Sequence, residues 1–111
     1  MRVSVYSDPK EFLVRAERFL VADPFSPSVI ATVTTRIASG ALAYGSNNAW
    51  LTVEDGSRVV GLAMHTPPHN MFLSRMPEDA AFALAREVAR SGRNLSGVNG
   101  ALGSTGAFAR A

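Results

Sequence analysis

One stretch constrains this chain more than any other: Val59-Val60-Gly61-Leu62-Ala63-Met64-His65-Thr66-Pro67-Pro68. Its apolar residues run almost unbroken, where a half-buried strand would alternate apolar and polar positions. A strand of that kind is covered on both faces, so the run predicts a central strand with helices packed on each side. Pro67 and Pro68 carry no amide hydrogen, so strand pairing stops or bulges at them. Asp55-Gly56 is a strong hairpin signal joining Trp50-Leu51-Thr52-Val53 to the strand Arg58–Met64. Met71-Phe72-Leu73, beyond the prolines, reads as a further strand.

The flanking segments supply the remaining elements. Arg2-Val3-Ser4-Val5-Tyr6 alternates at period two, as a short strand does. Asp8 and Pro9 make a helix start, with Glu11 placed for a capping box. From about Pro9 to Val21, Phe12, Leu13, Ala16, Phe19 and Leu20 share one face. Glu11 and Arg15 stand four apart on the other face and are spaced to pair. Asp23-Pro24-Phe25-Ser26-Pro27 breaks this helix. Val29, Ile30, Val33 and Ile37 then fit the apolar face of a second one ending at Ser39-Gly40, although the β-branched run Val29–Thr35 also suits a strand. Gly45–Asn48 is a loop. Met76-Pro77-Glu78-Asp79 opens a helix with two carboxylates at its positive dipole end, and Ser91-Gly92 closes it. Its inward face is Ala81, Leu84, Ala85 and Val88. Asn94–Val98 fits a last short strand, Asn99-Gly100 a turn, and Ala101–Ala111 the start of something helical.

With 111 residues this is one domain, long enough to bury roughly two-thirds of its unfolded surface. The net charge is only +2. Its ten arginines and one lysine are scattered along the chain rather than gathered into a basic face, which argues against nucleic-acid binding. The absence of cysteine excludes disulfides, thiolate metal sites and a cysteine nucleophile. A small secreted domain would often need disulfide staples, so the cytosol is the expected compartment. There is no signal-peptide pattern and no apolar run near the ~18 residues needed to span a bilayer.

Motifs that could carry chemistry are few. His65 and His69 have the spacing of a helical metal pair. Pro67 and Pro68 between them forbid that helix, so they are expected as a strand-end histidine and an exposed loop histidine, with no metal. Glu54 and Asp55, just before Gly56, read as a solvated hairpin tip. Gly97-Val98-Asn99-Gly100 and Gly103-Ser104-Thr105-Gly106 are glycine-rich, but no Lys-Ser/Thr follows to complete a phosphate-binding loop.

The order of elements is strand, helix, helix, hairpin, strand, helix, strand, helix. It resembles the GNAT superfamily of N-acetyltransferases. The segment Val59–Pro68, then Met71-Phe72-Leu73-Ser74-Arg75-Met76-Pro77, then Gly97-Val98-Asn99-Gly100 is similar to the amino-terminal half of bacterial GNAT-like proteins about twice this length. The resemblance implies a mixed, mostly antiparallel sheet of about five strands flanked by three to four helices. It implies a single domain over 1–111 that is an amino-terminal half or fragment, partnered by a missing carboxyl-terminal acetyltransferase half; the alternative is a stand-alone dimerising or small-ligand-binding module without catalysis, in which an open sheet edge pairs with a second copy of the chain. Acetyl-CoA is the cofactor expected of the full-length family member. In this family the coenzyme's pyrophosphate is gripped at a helix start by Gln/Arg-x-x-Gly-x-Gly/Ala. The matching segment here, Ser74–Ala81, has no glycine; Pro77 removes an amide donor, and Glu78 and Asp79 repel phosphate. The resemblance therefore implies a degenerate copy, inactive alone and without cofactor, that is structural or forms one wall of an acceptor cleft. Candidate wall residues are Tyr44, Trp50, His65, Thr66 and Asn99, at strand ends and loops where sites on α/β sheets collect.

Overall fold

The computed structural model describes residues 1–22, 28–41, 47–93, 95, 97–100 and 102–110. Along the chain these form β1 (Arg2–Tyr6), α1 (Pro9–Ala22), α2 (Ser28–Ala38), β2 (Ala49–Asp55) and β3 (Arg58–His65). Then follow β4 (Met71–Leu73), α3 (Glu78–Ser91), β5 (Val98–Gly100) and α4 (Leu102–Arg110). The strands build one five-stranded sheet in the order β1-β2-β3-β4-β5. Neighbours are antiparallel from β1 to β4, whereas β4 and β5 run parallel. The expected architecture, a mixed and mostly antiparallel sheet flanked by helices, is what the chain forms.

The apolar run lies in the middle of that sheet, and from Val60 onward β3 is buried throughout. Two cores explain why. On one face Phe12 and Ala16 of α1 and Ile30 of α2 close over Trp50, Leu62 and Met64. On the other, Ala80, Ala81, Leu84 and Val88 of α3 with Ala107 of α4 close over Leu51, Val53, Ala63, Met71 and Leu73. Small residues on α3 let its axis come close to the strands. Gly61 makes the same allowance from the sheet side, since a Cβ there would lie 2.8 Å from the Met76 Sδ. Ala85, expected on the inward face of α3, is only half-buried.

The helix starts follow local chemistry. The Lys10 amide donates to the Asp8 carboxylate at 2.9 Å, capping α1. The chain leaves α3 through Gly92 at φ 73°, a left-handed conformation that glycine adopts without penalty. The second segment is a helix, so the β-branched run Val29–Thr35 yields to the spacing of Ile30 and its neighbours against Trp50.

Two expectations are corrected. The last strand is Val98–Gly100 rather than Asn94–Val98, so Asn99 and Gly100 lie in the sheet and not in a turn. At Gly100 (φ +126°) a Cβ would sit 2.0 Å from the Leu73 carbonyl oxygen, and only glycine lets β5 approach β4 so closely. Second, Arg15 does not pair with Glu11; it reaches across to Glu54 of β2.

Candidate functional site

Of the five residues singled out from the sequence, the four that are described do not share one cleft. Tyr44 lies outside the described residues. Period-two alternation sends the side chains of Met64 and His65 to opposite faces of the sheet. Thr66 and Asn99 come together on the α1/α2 face. Asn99 lies beside Phe72 in the parallel β4–β5 register, and Thr66 leads the β3–β4 turn. With Met64, Phe72, His69 and Val33 of α2 they line a cleft of about 580 Å³. Thr66 is 3% exposed, and its carbonyl accepts the His69 amide at 3.0 Å, closing the turn that contains Pro67 and Pro68. The cleft lies beside the parallel β4–β5 pair, with Val29 and Val33 of α2 on its other wall.

Trp50 is a core residue instead. Its ring is 1% exposed, packs against Phe12 at a centroid distance of 6.5 Å, and donates from Nε1 to the Thr34 Oγ1 at 2.9 Å. A buried indole that has its hydrogen bond satisfied inside the protein serves stability. One edge of it reaches a smaller cleft near Arg93.

His65 closes β3 on the α3 side and is 2% exposed. Its Nδ1 lies 2.9 Å from Nη1 of Arg93. A guanidinium can only donate, so Nδ1 accepts and the ring proton sits on Nε2. Burial pushes the imidazole pKa down, and the Arg93 charge pushes it further the same way. His65 is thus a neutral, inward structural acceptor. His69 is exposed in the loop, as expected. Among the described residues no group of three or more His, Cys, Asp or Glu could hold a metal ion.

Glu54 overturns the expectation of a solvated hairpin tip. It is 1% exposed. Ser4 Oγ donates to its Oε1 at 2.7 Å, and Arg15 donates to its Oε2 from Nε at 3.1 Å and again from Nη2. Arg2 approaches the same oxygen at 3.5 Å. Burial raises the Glu54 pKa, but the hydrogen bonds from Ser4, Arg15 and Arg2 and the Arg15 charge outweigh it, leaving the carboxyl below its ordinary value. A bulge lies beside it. Val53 faces Gly61 while Glu54 faces Val59, so Val60 is an extra residue in β3 and the local twist changes. The signal was present in the sequence: Trp50, Thr52 and Glu54 share one parity, and extending the strand to Asp55 turns Glu54 toward α1. No such signal marks Arg93, whose partners come from distant elements.

The segment between β4 and α3 is closely bound to its surroundings. The Ser74 amide donates to the Leu62 carbonyl, and its Oγ accepts the Leu62 amide, both at 2.9 Å. Met76 packs beneath Gly61. Pro77 is the N-cap of α3 with no side-chain cap, and the Ala80 amide is taken by the Asp79 carboxylate at 3.0 Å. A third hollow, about 830 Å³, runs between α1 and the β2–β3 hairpin, with Arg15, Arg18 and Arg58 around Phe19 and Val59. It holds none of the four described residues among the expected site residues. No helix of the described residues is long and apolar enough to cross a membrane. Comparison of the chain with family models, with curated proteins and with solved structures gives no match.

Proposed function

We propose that this chain is the amino-terminal, degenerate GNAT-like domain of a bacterial cytoplasmic N-acetyltransferase. In this reading it does no chemistry alone and contributes a wall of the acceptor cleft beside a carboxyl-terminal catalytic half. The order of elements and the parallel β4–β5 pair support the family. The cleft lined by Thr66 and Asn99 supports the acceptor wall. The observation that carries the reading is the start of α3. An anion held at a helix start needs outward amides and an unopposed dipole. Here Pro77 occupies the cap without an amide hydrogen, and the Asp79 carboxylate already takes the Ala80 amide. Glu78 adds a second negative charge in the same turn. The residues present do not fit a pyrophosphate, so no step through acetyl-CoA is derived for this chain.

Isothermal calorimetry of the chain with acetyl-CoA tests this. The expected outcome is no saturable heat up to about 1 mM, an affinity weaker than about −4 kcal/mol. Micromolar binding would overturn the reading.

A further inference from the structure

We propose that the cleft beside Arg93, on the far side of β3 from the Thr66–Asn99 cleft, binds a small carboxylate bearing a short apolar substituent. This inference stands apart from the acceptor-wall reading and uses different residues.

Arg93 follows the Gly92 turn and is only partly exposed. Its guanidinium is fixed by three contacts. Nη1 donates to the Asn47 carbonyl at 2.8 Å and to the His65 Nδ1 at 2.9 Å, and Nη2 approaches the Asn47 Oδ1 at 3.5 Å. None of these partners carries a negative charge. Elsewhere the contrast is plain: Arg2 and Arg15 meet Glu54, and Arg90 meets Glu87. Arg93 forms no ion pair among the described residues, so its positive charge is held in place with no described carboxylate against it.

A guanidinium has five N–H donors. The three contacts leave the Nε hydrogen and one Nη2 hydrogen, which no described residue takes. On a guanidinium the Nε hydrogen and the adjoining Nη2 hydrogen make the fork that matches both oxygens of a carboxylate. The cleft that Arg93 lines has a volume of about 440 Å³, toward the small end of ligand-sized cavities. Among the described residues no carboxylate lines it; Tyr6, Ser7, Asn47 and Asn48 supply polar groups, and Ile37 with the edge of Trp50 supplies apolar surface. A charged head of two oxygens fits the fork, and a short apolar tail fits Ile37 and Trp50. Because Asn47 and His65 hold the guanidinium beforehand, little side-chain freedom remains to be lost on binding.

The test is a titration of the full chain with sodium propionate, followed by ¹H–¹⁵N NMR at constant ionic strength. Propionamide serves as the neutral isostere and inorganic phosphate as a second anion. The expected result is saturable binding with a millimolar Kd. Shifts should be confined to the Arg93 Nε–H and the amides of Tyr6, Ser7, Asn48 and Trp50, with propionamide silent and phosphate weaker. Arg93→Lys keeps the charge and loses the fork, and should weaken binding about tenfold, the worth of one charge-assisted hydrogen bond. Ser7→Ala alters an exposed hydroxyl away from the clasp and should weaken it about twofold. If Arg93→Lys fails to fold, the propionamide and Ser7→Ala arms decide. Non-saturating shifts, equal shifts with propionamide, equal shifts around Arg18 and Arg58, or unchanged binding in a folded Arg93→Lys would each overturn the proposal.

Discussion

Replacing Glu54 by glutamine probes the least expected feature of the fold, a carboxylate buried at the end of β2. Glutamine keeps the shape and one oxygen, so Ser4 can retain its acceptor. It places an amide group where Arg15 donates twice, so a charge-assisted contact becomes donor against donor. Breaking a fully buried ion pair costs about 3–5 kcal/mol. The Arg15 side chain is 35% exposed and can recover water, and Arg2 at 76% is too exposed to matter. The loss should therefore match one strong hydrogen bond to a charged group, about 2 kcal/mol, or a melting temperature about 8 °C lower. Urea unfolding followed by the fluorescence of Trp50, the single tryptophan, measures it. The pH dependence supplies the sharper criterion. The folded carboxyl titrates below its ordinary value of 4.5, so the unfolded chain takes up its proton first as the pH falls. The stabilisation is present in full above that value and is lost as the pH drops through the folded pKa. The gap between wild type and Glu54→Gln should hold at about pH 7 and close in acid below the ordinary carboxyl range. A variant as stable as wild type at neutral pH, or a gap of constant size down to acid, would refute the reasoning.

Two further outcomes follow from single contacts. Gly100→Ala should expel β5, because the new methyl would lie 2.0 Å from a backbone oxygen that has nowhere to go; hydrogen exchange should accelerate at Val98–Gly100 while β1–β3 keep their protection, and unaltered protection of β5 would contradict the register. His65 should titrate below its ordinary 6.5, since burial and then Arg93 both oppose its charge. The unfolded imidazole is protonated first, so this histidine's stability contribution is intact above 6.5 and lost as pH falls through the folded value. An NMR midpoint at or above 6.5 would contradict a buried, neutral ring held by Arg93.

Local signals in the chain foretell most of the elements and the layer order, although not the bounds of the last strand. The unbroken run in β3 required cover on both faces, the Asp55-Gly56 turn fixed the hairpin, and helical spacing identified α1 and α3. These signals are local, set by how side chains repeat along a strand or a helix. The same logic placed His65 at a strand end and His69 in a loop. The pairings across the sheet depend instead on how distant segments pack. The packing of α1 over the end of β2 brought Arg15 to Glu54 rather than to Glu11. The approach of α3's exit to the end of β3 joined Arg93 to His65 and Asn47. Strand parity separated His65 from Thr66 and Asn99, and the Thr34 hydroxyl made Trp50 a core residue. The contacts of Arg15 with Glu54, of Arg93 with His65 and Asn47, and of Trp50 with Thr34 join residues at least sixteen positions apart, and no period along the chain encodes which of them meet in space.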